Sequence, residues 1–188
     1  MRILMRKVTS GLFHSVDGVV ESPDQWQFDS FDDELGAGLG DFINSTSTVI
    51  LGRTTYEQWA DYWPTASDPF GDFINPIEKF VASRTLSGNL EWQNARLIDG
   101  GLEDFVRELK KGDGDDIAVC GSISVVRQLL FAGLLDSLTL MQHPVIAGKG
   151  KHLFEPEDPT TRLFLQDSQI TSKGNVIMRY GLLGENLN

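Results

Sequence analysis

The sequence predicts a single α/β domain built on a mixed, mostly parallel sheet flanked by helices. Three observations predict it. Apolar strand patterns alternate with helical ones along most of the chain, which implies parallel neighbours joined by crossovers. The last two strand patterns are separated only by a turn around Lys173-Gly174-Asn175, which implies an antiparallel hairpin at one edge. A length of 188 residues allows one well-buried core and is short for two, so residues 1–188 are read as one domain.

The elements follow in order. Arg6 to Ser15 reads as a first strand, with Val8, Leu12 and Val16 at even steps. Phe31, Leu35, Leu39, Phe42 and Ile43 recur at helical spacing, so Ser30 to Asn44 is a helix, with Ser30 and Asp33 as a weak cap. Thr48 to Leu51 is a short strand, and Asp61 to Phe70 a loose segment before a short helix near Phe70 to Asn75. Lys79 to Ala82 and Arg96 to Ile98 are brief strands. Leu102, Phe105, Val106 and Leu109 form one face of a helix ended by Gly112. Ile117 to Cys120 is a strand, Ser122 to Ala132 a helix stopped at Gly133, and Leu138 to Pro144 a strand. The hairpin strands are Leu163 to Ile170 and Val176 to Leu182; the tail after Gly184 is loose.

Composition removes several function classes. A net charge of −11 opposes a nucleic-acid partner. No apolar run approaches the roughly 20 residues of a membrane helix, and Met1 to Lys7 lacks the apolar stretch of a signal peptide. The lone Cys120 excludes an intrachain disulfide and a cysteine-based zinc cluster. His14, His143 and His152 form no metal spacing, so no metal site is expected. A cytoplasmic location is the default expectation.

Three strand ends carry the functional signal. Val49-Ile50-Leu51 runs into Gly52-Arg53-Thr54-Thr55, Phe80-Val81-Ala82 into Ser83-Arg84-Thr85, and Ile117 to Cys120 into Gly121-Ser122-Ile123-Ser124. In open α/β sheets the C-terminal strand ends share one edge, and ligands bind there. Gly121 permits close backbone approach, and Ser122 and Ser124 open a helix whose first amides have no intrahelical partner and suit a phosphate. Arg53 and Arg84, with Thr54 and Ser83 beside them, supply guanidinium groups that grip phosphate. Two arginines at one adenosine end favour a 2′-phosphate, hence NADP over NAD. Each piece also has a plain reading, as a turn with a helix cap or as a solvated arginine. Neither GxGxxG after a strand nor GxxxxGK[ST] occurs, which sets aside an ordinary Rossmann fingerprint and a P-loop.

These segments resemble the dihydrofolate reductase superfamily, and more closely the reductase domain of the bifunctional riboflavin-biosynthesis deaminase-reductase. Ser15-Val16-Asp17-Gly18-Val19 is similar to that family's first loop, and Ile50 to Glu57 to its GR-x-T-[YW]-E segment. Val81 to Leu86 is similar to its SRT segment, and Val119 to Ser122 stands where dihydrofolate reductases carry Gly-Gly. Leu134 to Leu138 with Pro144 to Phe154 resembles the reductase domain's long signature. The resemblance spans about Arg6 to Leu183. It implies a dihydrofolate reductase-like three-layer α/β/α fold with eight or nine strands, and a homodimer. It implies NADPH, with Gly52, Arg53, Thr54, Ser83, Arg84 and Thr85 around the adenosine phosphate and Gly121, Ser122, Ile123 and Ser124 at the pyrophosphate. The reaction it implies is hydride transfer to a small substrate, as in 5-amino-6-(5-phosphoribosylamino)uracil reductase. Departures leave other readings open: a non-catalytic dinucleotide-binding protein, a flavin-dependent enzyme, or a dihydrofolate-type reductase. No zinc-deaminase motif occurs. The helix carboxylate that dihydrofolate reductases use has no secure counterpart, although Asp32, Asp33 and Glu34 are near, which disfavours folate reduction. The cost of a non-proline cis bond, about 2.5–4 kcal/mol, weighs against a cis peptide at Gly121-Ser122.

Hydride transfer asks for little dedicated catalytic machinery. Asp17 is the candidate catalytic residue, able to hydrogen-bond a substrate hydroxyl or an ordered water; Asp17-Gly18 also reads as a turn pair. Trp26, Tyr62 and Trp63, in loops, are candidates for lining a flat-ring pocket, or else cover the core. Lys149, Lys151 and His152 are candidates for a substrate phosphate; Glu155, Glu157 and Asp158 read as a solvated loop.

Overall fold

The computed structural model describes residues 5–182; the loose tail expected after Gly184 lies outside them. The strands are β1 (Val8–His14), β2 (Thr46–Gly52), β3 (Glu78–Ala82), β4 (Ala95–Leu97), β5 (Asp116–Val119), β6 (Ser137–Gln142), β7 (Leu163–Ile170) and β8 (Val176–Leu182). The helices are α1 (Asp33–Ser45), α2 (Arg53–Tyr62), α3 (Pro69–Ile74), α4 (Leu102–Leu109) and α5 (Ile123–Phe131). The strands form one sheet in the order β4-β3-β2-β5-β1-β6-β8-β7. β1 to β6 are mutually parallel, and β8 and β7 add an antiparallel hairpin at one edge.

The period-two alternation of the central strands sorts their side chains into two cores. Val8, Ile50, Ile117 and Val119 pack with Val106 of α4 and with Val125, Val126, Leu129 and Leu130 of α5. Val49, Leu51, Val81 and Ala118 pack on the other face with Tyr56 and Trp59 of α2, Phe70 and Ile74 of α3, and Phe42 of α1. Helices on both faces of a mixed sheet make the three-layer fold that the sequence predicts.

The differences are local. α2 was not expected, although Tyr56, Trp59, Ala60 and Trp63 recur at helical spacing; its opening residues read as a strand-end loop. The expected loose segment after Asp61 is largely helical, with a short 3-10 turn over Trp63–Thr65 and then α3. Val16 lies beyond the end of β1 and is 53% exposed. The cap of α1 is Asp32, whose carboxylate accepts from the Leu35 amide at 3.0 Å. Ser30, the expected cap, instead meets the Gln27 carbonyl and His143 Nδ1.

Away from the ligand edge, Lys79 is fully buried at the start of β3. Its ammonium donates to the carbonyls of Ile74, Asn75 and Ile77 at 2.8–2.9 Å and lies 4.6 Å from the centre of the Trp92 ring. It closes the C-terminal end of α3, where unpaired carbonyls need donors. Burial pushes its pKa down to about 8.

Candidate active site

The chain leaving β1 goes through α1 to β2 on one side, whereas the chain leaving β5 goes through α5 to β6 on the other. The adjacent pair β5 and β1 is therefore the topological switch point, where a crevice opens at the C-terminal ends of the strands. The pairing records that opening. β1 and β5 pair only at Val8–Ile117 and Thr9–Ala118, while β1 stays paired with β6 as far as His14–Gln142. Beyond Thr9 the two strands part, bridged by the buried Ser10 hydroxyl donating to the Val119 carbonyl at 2.8 Å. Gly11, Leu12, Phe13 and His14 are only half-buried despite lying on a central strand.

Two helices begin beside this split. α2 starts at Arg53 directly after β2, and α5 starts at Ile123 directly after the Gly121-Ser122 step. The two starts touch. The Gly52 amide donates to the Gly121 carbonyl at 2.8 Å. A Cβ on Gly52 would lie 1.9 Å from Ser122 Oγ, and one on Gly121, at φ +116°, would lie 2.7 Å from Thr55 Oγ1. Only glycine permits that approach. The Gly121-Ser122 peptide is cis, contrary to expectation, at the point where these two strand ends meet. Neither helix has a side-chain cap, so two sets of first-turn amides and two positive dipole ends point at one place. That donor set is suited to a diphosphate.

The third strand end completes the row. Gly52 of β2 pairs with Ala82 of β3, so Arg53 and Ser83 leave the sheet as neighbours. Ser83 Oγ accepts from the amides of Thr85 and Leu86 at 3.1 and 2.9 Å and shapes the turn that carries Arg84. Its hydroxyl is engaged in that turn. Thr54, Arg84 and Thr85 are exposed. Arg53 lies 4.0 Å from Glu57, with both side chains about half-exposed, a geometry of little energetic weight that leaves the guanidinium available. The structure thus brings Gly52, Arg53, Thr54, Ser83, Arg84, Thr85, Gly121, Ser122, Ile123 and Ser124 to three adjacent strand ends.

Asp17 lies on the other side of the split, after β1. One carboxylate oxygen accepts from Ser15 Oγ at 2.6 Å and the Ala147 amide at 2.8 Å, and the second from the Gly148 amide at 2.8 Å. The Ser15 bond and the two amides hold its pKa down at about 2. Around this clamp the Val16 amide donates to the Val145 carbonyl, and Val19 bridges His152. Two loops are thereby fastened into one wall. His14 stands within it, its pKa lowered by burial and its Nδ1 without a partner among the described residues. Lys149 and His152 are exposed, and Lys151 lies 3.5 Å from Glu21.

The head of α1 is tied to the β7–β8 turn. Asp32 accepts from Thr171 Oγ1 at 2.5 Å, Asn175 Nδ2 at 2.9 Å and the Lys173 amide at 3.2 Å, in addition to its cap bond. Burial pushes its pKa up, but these bonds outweigh burial and hold it below the ordinary carboxylate value. Glu34 accepts from the amide and hydroxyl of Ser172. Asn175 also donates to the Ser30 carbonyl, and Ser30 meets the fully buried His143. Burial lowers the His143 pKa, with Asp32 opposing. Asp32 and Glu34 are thus structural, whereas Asp33, on the same turn, is exposed. Polar spacing along the sequence gives no sign of this network, because its partners are 113 to 145 residues apart.

The predicted aromatic pocket is not assembled. Trp26 is buried, donates to the Glu21 carbonyl at 2.9 Å and packs edge-on against His143 at 5.8 Å. Tyr62 and Trp63 lie at the far end of α2, roughly 15 Å along its axis from Arg53. There the Trp63 carbonyl accepts from the Asn75 side-chain amide, whose Oδ1 accepts from Trp92 Nε1. Trp63 stacks with Trp59 and Phe70 and belongs to the core. The expected solvated cluster is partly paired, with Glu155 and Asp158 both bound to Arg127 of α5. Burial pushes the Cys120 thiol up to about 12. Among the described residues no His, Cys, Asp and Glu cluster could hold a metal ion, and no helix is long and apolar enough to cross a membrane.

Comparison with known proteins adds the family. The model for the RibD C-terminal domain matches residues 6–178. The uncharacterized protein YyaP of Bacillus subtilis strain 168 is 29% identical over 181 residues, covering 93% of this chain and 94% of the relative. YwjB of the same organism is 28% identical over 167 residues, covering 87% and 91%. Among solved structures, a protein of Shewanella sp. PV-4 named for riboflavin biosynthesis superposes with a TM-score of 0.76, at 17% identity, over 95% of this chain and 99% of its own. The deaminase/5-amino-6-(5-phosphoribosylamino)uracil reductase of Thermotoga maritima gives 0.66 at 16% identity, over 95% of this chain and 57% of its own. At these identities the structural matches establish the fold.

Proposed function

The chain belongs to the RibD C-terminal domain family, and on that premise we propose that it is an NADPH-dependent reductase of a small substrate. One observation carries the reading: two uncapped helix starts touching at the switch point, flanked by Arg53 and Arg84 on the next strand ends. In it, the first amides of α2 and α5 hold the pyrophosphate. Arg53 and Arg84 grip the adenosine 2′-phosphate, with Thr54 and Thr85 beside them. The residues present fit such a group, because the two glycines let the strand ends close on each other, Gly52 against Ser122 and Gly121 against Thr55, and so set the two helix starts side by side. When bound, the reduced nicotinamide supplies a hydride at the split between β5 and β1.

The rest is the work of this chain. Asp17 acts as a clamp, holding the loop around Ala147 and Gly148 as one wall of the substrate end. With Asp32 and Glu34 committed to the β7–β8 turn, water brings the proton that completes reduction. A homodimer in the cytoplasm is part of the same reading. Its support is the family resemblance together with the edge strand β7, which exposes Leu165 at 53% and Ile170 at 78%.

The test is a titration of purified protein with NADPH and with NADH, followed by energy transfer from tryptophan to the reduced nicotinamide. NADPH binds more tightly than NADH, and Arg84→Ala weakens NADPH about tenfold while leaving NADH unchanged, as loss of a charge-assisted phosphate contact requires. Equal weakening of both cofactors, or no binding at millimolar NADPH, removes the reading.

A further inference from the structure

A strained segment ahead of α1 hangs on one histidine. Of residues 22–31, which carry the chain toward α1, only Trp26 and Ser30 are buried. Ser22 and Phe28 both take a left-handed backbone, at φ 48°, which residues other than glycine resist. Phe28 is also 79% exposed. The segment therefore stores strain and buries little apolar surface to hold itself down.

Both of its buried residues rest on His143, which follows β6 and is itself fully buried. Trp26 packs edge-on against the imidazole at 5.8 Å, as does Phe13 of β1 at 5.6 Å. Ser30 Oγ lies 2.6 Å from Nδ1, and Gln27 Nε2 lies 3.1 Å from Nε2. These partners fix the protons. Ser30 gives its one hydroxyl proton to the Gln27 carbonyl at 2.5 Å, so Nδ1 donates to Ser30 and Nε2 accepts from the Gln27 amide. A second proton, on Nε2, would face the Gln27 N–H. Turning that amide over would offer an oxygen, but the imidazolium would stay buried with neither ring partner a carboxylate, which is costly.

The surrounding charges give little relief. Asp32, at the head of α1, opposes the burial, yet its oxygens already accept from Leu35, Thr171, Lys173 and Asn175. β1 presents Phe13 and the His14 carbonyl, which accepts the His143 amide at 2.8 Å. From the β7–β8 turn, the Lys173 ammonium is turned to the Asp29 carbonyl and Asn175 to the Ser30 carbonyl.

We propose that His143 is an acid-released latch: neutral, it holds residues 22–31 against the end of β6, and protonated, it lets that segment go while the sheet stays folded. The latch is independent of the reductase reading. Its sign follows from burial, which lowers the His143 pKa from the ordinary 6.5. The hold is fully present above about 6.5 and is lost as pH falls through the lower folded value.

The test is amide hydrogen exchange of the full-length protein at pH 7.5 and pH 5, corrected for intrinsic rates, with the histidine rings followed by nitrogen-15 shifts. Protection of the Trp26 and Ser30 amides falls at least about fivefold at pH 5, while the amides of β2 and β5 keep theirs. His143 carries a proton on Nδ1 alone at pH 7.5. Gln27→Glu, which gives the imidazolium a carboxylate, moves the release to lower pH, and His14→Gln leaves it where it is. Unchanged protection at pH 5 overturns the proposal, as does loss of the sheet amides together with the segment. So does a charged His143 at pH 7.5, release abolished by His14→Gln, or release in Gln27→Glu at the wild-type pH. The wild-type exchange decides alone where Gln27→Glu fails to fold.

Discussion

Asp17 shows how a residue with catalytic looks can be structural in its chemistry. A lone carboxylate after a first strand invites an acid or base role, but three donors share its two oxygens and hold its pKa near 2. A group kept ionised that firmly is a poor proton donor at neutral pH. It is a good clamp, because a carboxylate accepting backbone amides makes strong charge-assisted bonds. The sign of its pH dependence follows from the depressed folded pKa. Its contribution is fully present above the ordinary value of about 4 and is lost as pH falls through about 2. Melts of wild type and Asp17→Asn should therefore differ by a constant amount above about pH 5, and the gap should narrow from about pH 4 toward pH 2. A gap that does not change with pH would mean that the charge of Asp17 plays no part.

At the scale of elements, the join between α1 and the β7–β8 turn holds one side of the cleft in place. Asp32 is at once the cap of α1 and the acceptor for Thr171, Lys173 and Asn175. Asp32→Ala removes a cap and strands buried donors, and should cost about 2–4 kcal/mol in urea unfolding. A cost below about 0.5 kcal/mol would show that the network is dispensable. This join was not legible in the sequence, because polar residues far apart in the chain carry no periodic signal. Most strands and α5 were legible, since runs such as Val49-Ile50-Leu51 and Ile117-Ala118-Val119 are buried on both faces and end in Gly. α2 was not: the same residues that made Gly52-Arg53-Thr54-Thr55 look like a binding loop also open a helix. The hydroxyl and cation at its start were read correctly as lying at a strand end, while the helical spacing of Tyr56, Trp59 and Trp63 went unused. Of the two readings open for Trp26 and Trp63, cover of the core is the one that the packing fits. Loop tryptophans carry no label for burial, and here each closes a core.

For the whole molecule, strand order does what no single motif does. The connections leaving the parallel neighbours β5 and β1 run to opposite sides, which opens the sheet there, and the strand ends beside that opening carry the groups proposed to hold phosphate. The order of strands cannot be read from one chain without its fold, so the sequence placed the three strand ends on one edge without saying which were neighbours. The antiparallel hairpin leaves β7 as a long edge with apolar residues outward, a surface that isolated chains tend to cover. Sedimentation should give twice the mass of the chain, and Leu165→Lys with Ile170→Lys should shift it to one; a wild-type monomer at high micromolar concentration would contradict the dimer. The most direct test of the central claim is a crystal structure of the protein grown with NADPH. The pyrophosphate should lie against the amides of Ile123 and Ser124 at the start of α5, with the 2′-phosphate between Arg53 and Arg84. A dinucleotide bound elsewhere, or with its adenosine end away from both arginines, would contradict the account.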